Sequence, residues 1–230
     1  MGISETNPII DDLFSMQDLK YKAFQSKLIP NIDQEKMIMV PIPKLRNYAK
    51  LMYASQNAQV FLHTLPHFYF DEYNLHVLLI EQMKDIDECL DAINTLLPYI
   101  DNWATCDLLN PKVLKIHKDL LLPAILKWLK SDHAYTIRFA INMLMKHYIK
   151  NDFNGNQLNI VANIKHDDYY VKMVIAFYLQ QAYQYHKDDV LAYLNQNQLD
   201  QIIINKMISK VNDSKKINDE DKLLIKKYRR

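Results

Sequence analysis

The sequence predicts an all-α fold, and three observations carry that expectation. Apolar residues recur at helical spacing along almost the whole chain, no segment alternates with period two for long enough to make a strand, and proline- or asparagine-containing breaks punctuate the stripes at short intervals. The clearest stripe spans residues 134–149, where Ile137, Ala140, Ile141, Leu144, Met145 and Tyr148 fall at i, i+3, i+4, i+7, i+8 and i+11.

Stripes of the same kind predict further helices over residues 7–28, 43–55, 73–83, 86–97, 169–183, 199–211 and 219–228. Pro30-Asn31 ends the first. Pro41-Ile42-Pro43 opens the next, and Pro66 and Pro98 separate those that follow, because the proline ring removes a donor and clashes with the preceding turn. Asn110-Pro111, Ser131-Asp132, Asn154-Gly155, Asp188 and Asn212-Asp213 mark the remaining breaks. Asp101 is expected to cap a helix that starts at Asn102 and stops at Asn110-Pro111, leaving it about two turns long. Helices joined by brief turns, in pairs of roughly 35 to 45 residues, suggest antiparallel hairpins of the HEAT type stacked into a solenoid. A right-handed superhelix is the expected form, although the periodicity fits an irregular helical bundle equally well.

At 230 residues the chain is long for one compact domain and short for two, so a single domain over residues 1–230 is expected. With only Gly2 and Gly155, it has no G-x-x-x-x-G-K loop and no G-x-G-x-x-G fingerprint, which excludes P-loop and Rossmann nucleotide chemistry. Cys89 and Cys106 have no C-x-x-C spacing and no paired histidines nearby, so neither a zinc site nor a disulfide is expected. No apolar run approaches the roughly 18 residues of a membrane span. The first residues, with Glu5, Asp11 and Asp12, lack a basic or apolar signal region. A cytoplasmic monomer, with no membrane partner and no cofactor, is the expectation.

The formal net charge of +1 hides a strong polarity. Residues 71–101 hold eight acids against the single base Lys84, a net −7, whereas residues 102–150 and 201–230 each carry a net +5. Such a split fits an anionic partner held by the second half, and solvated helix faces would produce it too.

Few residues are arranged for chemistry. His63 and His67 have i, i+4 spacing, but Pro66 lies between them and the glutamate of H-E-x-x-H is missing, so no metal site is expected. Trp103 and Asp107 are different: one turn apart on the short helix, they share a face. There a carboxylate can face a developing positive charge while the indole covers a ring or sugar beside it. A core tryptophan next to a solvent-facing aspartate fits the same spacing.

Five blocks in order, from Tyr21 to Pro30, Val40 to Lys50, Asp101 to Asp107, Ile137 to Ile141 and Tyr169 to Met173, resemble those of the DNA alkylation repair proteins, bacterial glycosylases built from HEAT-like repeats. The resemblance implies hydrolysis of the N-glycosidic bond of cationic N3- or N7-alkylated purines in double-stranded DNA. The family's Trp-x-x-x-Asp pair maps onto Trp103 and Asp107 as the catalytic residues, with the indole on the deoxyribose. Arg138 matches the family arginine that lies near the lesion backbone, and it is expected at the outward edge of its helix. Tyr170, Phe177 and Lys206 complete the expected DNA-binding set. Tyr170, Met173 and Phe177 form one stripe beside the core stripe Val171, Val174 and Tyr178. The chain departs from the family pattern at Phe177, where a tryptophan is usual, and at Met39 and Pro41, where glycine and arginine are expected. Two other readings are a catalytically weak or inactive paralogue that recognises distorted or branched DNA, and a protein-binding scaffold.

Overall fold

The structure is a computed structural model that describes residues 7–196 and 199–229. Every regular element among those residues is helical: fifteen α-helices with three short 3-10 turns. They divide into two compact units, residues 1–118 and 119–230. Among the described residues no helix is long and apolar enough to cross a membrane.

The first unit contains α1 (Pro8–Ser15), α2 (Leu19–Gln25), α3 (Ile42–Met52), α4 (Gln56–Leu62), α5 (Phe70–Ile80), α6 (Ile86–Leu96), α7 (Trp103–Leu108) and α8 (Val113–Ile116). The long helix expected over residues 7–28 is two helices. Asp18 divides it: its carboxylate accepts the Tyr21 amide at 3.0 Å to start α2, while its own amide donates to the Met39 carbonyl at 3.1 Å. A side chain that caps locally competes with helix continuation. Asp85 caps α6 in the same way, accepting from the amides of Asp87 and Glu88. Helix α5 packs on α3 and α7 and is buried almost all round, including Asp71, Glu72, Asn74 and His76.

The second unit contains α9 (Lys118–Trp128, beginning at the boundary), α10 (Ala134–His147), α11 (Gly155–Ala162), α12 (Tyr169–Tyr185), α13 (Lys187–Asn195), α14 (Gln201–Asp213) and α15 (Asp219–Lys226). Helix α12 is its centre, packed against α10, α11, α13 and α14. Asp188, expected as a break, lies in the first turn of α13, where its charge suits the positive end of the helix. The break falls at His186, the cap residue between α12 and α13. Helix α10 also departs from its sequence pattern. Residues 135–144 are all buried, so it is enclosed rather than amphipathic.

Candidate active site

The short helix α7 is anchored from both ends of its first turn. Its cap is Asn102, not Asp101: the Asn102 side chain accepts the Thr105 amide at 2.8 Å and is 1% exposed. Thr105 in turn donates its hydroxyl to Asn74 of α5 at 2.8 Å. The Trp103 indole N–H donates to the Leu28 carbonyl at 3.1 Å, and the ring packs on the cluster of Ile29, Met37, Met39 and Phe70. These contacts tie α7 to two other parts of the first unit, so the residues on its outer face are held in fixed positions.

Trp103 and Asp107 line one cavity of about 320 Å³, together with Tyr21, Met39, Phe70 and Asn74. Both are half-buried. Most of the wall is hydrocarbon or aromatic, which lowers the local dielectric and strengthens the field of the Asp107 carboxylate on anything placed beside it. The backbone floor at residues 38–40 is organised by Asp71. Its fully buried carboxylate accepts the amides of Ile38 and Met39 at 2.9 and 2.8 Å through Oδ2 and of Val40 at 2.7 Å through Oδ1. Met39, which stands where the family pattern has glycine, has φ 68°, in the left-handed region that glycine adopts without strain. Burial, and secondarily the charge of Asp71, raises the phenol of Tyr21 above its usual range, so it serves the cavity as a neutral donor.

The other predicted residues lie in the second unit. Arg138 is not at the outward edge of α10. It is 3% exposed, and its guanidinium donates to the Tyr170 carbonyl at 3.2 Å. The reason is the enclosure of α10, which covers even the flank beside the apolar stripe. Tyr170, Met173 and Phe177 form a half-buried stripe next to the buried Val171, Val174 and Tyr178, as their spacing predicts. Tyr170 is flanked by the rings of Tyr135 and Tyr169. Lys206 lies over the Tyr169 ring at 5.8 Å and Lys210 over Phe177 at 5.2 Å, giving α12 and α14 a shared aromatic and cationic surface.

The sequence profile of the DNA alkylation repair enzymes matches residues 9–210. The chain belongs to that family. With the family come a role in DNA repair, an enzymatic one, and DNA as its substrate. No curated protein matches the chain.

Within this DNA repair family member, the structure adds residues that motif reading passed over. Tyr21 lay inside a recognised block, but its place on the cavity wall depends on the fold of residues 19–42. Asp71 was merely one acid of an acidic stretch. Its three amide partners lie more than 30 residues away, beyond the reach of any spacing rule. Among the described residues no three His, Cys, Asp or Glu side chains are grouped to hold a metal.

Proposed function

We propose that this protein is an alkylpurine DNA N-glycosylase that hydrolyses the N-glycosidic bond of cationic N3- or N7-alkylated purines in duplex DNA. The observation that supports the reading most is the placing of Trp103 and Asp107 on one wall of a single cavity.

Alkylation makes the purine a cation. Breaking the bond from C1′ to the ring nitrogen sends the electron pair into the base, which leaves neutral and needs no strong general acid. Positive charge moves to the sugar in an oxocarbenium-like transition state. Asp107 faces that charge and orients the water that adds at C1′, the proton that this water loses passing to solvent, while Trp103 packs on the deoxyribose and fixes its position. In the second unit, Tyr170, Phe177 and Lys206 supply π faces and positive charge to the DNA backbone. Arg138 acts there by positioning: it holds the first turn of α12 through the Tyr170 carbonyl. We further propose that the helical pairs within each unit are HEAT-like repeats. The deciding experiment is release of 7-methylguanine from methylated duplex DNA by the wild-type protein under single-turnover conditions. Failure to release the base would reject the glycosylase reading.

A further inference from the structure

A second cavity in the first unit, of about 620 Å³, has a character opposite to that of the first. Its wall carries Arg46, Lys50, Lys84 and Lys112, with His117 and one carboxylate, Glu81. Glu81 is already engaged in an ion pair with Arg46. Lys50, Lys84 and Lys112 are exposed, and none has an ion-pair partner among the described residues. Lys84 is the single base of the acidic stretch 71–101, and it stands on this groove. Four cations around one carboxylate leave an excess of positive charge on this groove, which attracts an anion.

The groove and the Trp103–Asp107 cavity draw on the same two stretches of chain. Ile42 lines that cavity, and Arg46, one turn further along α3, lines the groove. Asp107 and Leu108 line the cavity, and Asn110 lines the groove two residues on. Walls two to four residues apart in the chain put both sites within reach of one strand of regularly spaced anions. Ile116, 76% exposed on the groove wall, offers an apolar surface between the charges, as a sugar face requires.

We infer that this groove is a phosphodiester site, in which Arg46, Lys50, Lys84 and Lys112 hold consecutive phosphates of the DNA strand whose sugar lies at Trp103 and Asp107. This rests on DNA as the substrate and assigns the strand a path across the first unit. Arg46, oriented by Glu81, forks onto one phosphate, and the lysines act as point charges on its neighbours. The −7 charge of the surrounding stretch repels the strand elsewhere, so the groove sets the register as well as the affinity.

The test is binding of an unmodified duplex oligonucleotide by fluorescence anisotropy across a salt series, which separates this inference from any outcome on base excision. The triple variant Lys50→Ala/Lys84→Ala/Lys112→Ala is expected to weaken binding by roughly tenfold or more at 0.1 M salt. It should also flatten the log–log salt slope by about 2.7, near 0.9 for each lost phosphate contact. Each single variant should flatten it by about 0.9. A charge-preserving control at the same positions, Lys50→Arg/Lys84→Arg/Lys112→Arg, should leave the slope near that of wild type. A groove variant with an unchanged slope, or a control variant that loses as much, would overturn the inference. Unchanged duplex binding with lost binding of poly-glutamate would overturn it as well, assigning the groove to an acidic protein segment.

Discussion

The carboxylate of Asp71 holds Met39 in a left-handed conformation. At φ 68° a side chain meets its own backbone, yet the Met39 amide is fixed by Asp71 Oδ2 at 2.8 Å and its carbonyl accepts from Asp18. Between them these bonds set the floor of the Trp103–Asp107 cavity. Asp71→Asn would replace one acceptor oxygen with a donor facing buried amides, and it should cost about 2 to 4 kcal/mol in denaturant unfolding. At Met39 the usual ranking of small residues should invert. Met39→Gly and Met39→Ala leave similar space, but only glycine takes φ 68° freely, so the glycine variant should be the more stable by about 1 kcal/mol. An alanine variant as stable as glycine would show that the backbone there is unstrained.

Asp107→Asn keeps the shape of the side chain and removes its charge. Single-turnover excision of 7-methylguanine should fall by roughly two orders of magnitude or more, the scale of one preorganised electrostatic group. Duplex affinity should hardly change, because a carboxylate repels phosphate. Trp103→Ala should also slow excision through lost positioning of the sugar. Equal excision by wild type and Asp107→Asn would remove Asp107 from the chemistry.

Arg138→Ala should act on folding. The guanidinium is buried and donates to the Tyr170 carbonyl, so truncation deprives that carbonyl of a charged donor and opens space in a packed helix. A loss of about 2 kcal/mol or more is expected, lowering Tm by roughly 4 to 8 °C. A variant that melts like wild type but binds DNA more weakly would instead place Arg138 on a phosphate.

Acid should weaken the first unit through a pair of buried imidazoles. His67 Nε2 and His76 Nδ1 are 2.9 Å apart, and the His67 ring stacks on Phe61. Burial pulls His67 down to about 4, and burial with the charges of His67 and His63 pulls His76 down to about 3, both from an ordinary 6.5. The folded state therefore keeps both neutral while the unfolded chain takes up protons below pH 6.5. Their contribution is fully present above that pH and is lost as the pH falls toward 4, at up to about 1.4 kcal/mol per pH unit for each histidine. NMR titration should find both rings neutral in the folded protein at pH 5, and a ring protonating near 6.5 would contradict the burial argument.

Phe177→Trp would restore the indole of the family pattern under Lys210. Duplex affinity should rise by a few-fold, on the order of 0.5 to 1 kcal/mol from the larger π face. Unchanged affinity would place the ring off the DNA path.

The amino-acid order by itself determined what depends on neighbours a few residues away. Helical periodicity made the chain all-α, prolines and Asn154-Gly155 placed breaks, and the i, i+4 spacing put Trp103 and Asp107 on one face, because 3.6 residues per turn is a local property of the backbone. The half-buried stripe of Tyr170, Met173 and Phe177 was legible for the same reason. The covering of a face is another matter, since it depends on segments distant in the chain. Arg138 looked like the edge of an amphipathic helix and is enclosed, because packing around α10 closes the flank that its own sequence leaves polar. Tertiary structure alone carried Asp71 to the amides of residues 38–40, gave Met39 its left-handed turn, and gathered Arg46, Lys50, Lys84 and Lys112 around one groove. Those contacts close loops of about 30 residues or more, and spacing along one helix carries no information about what such a loop brings back to it.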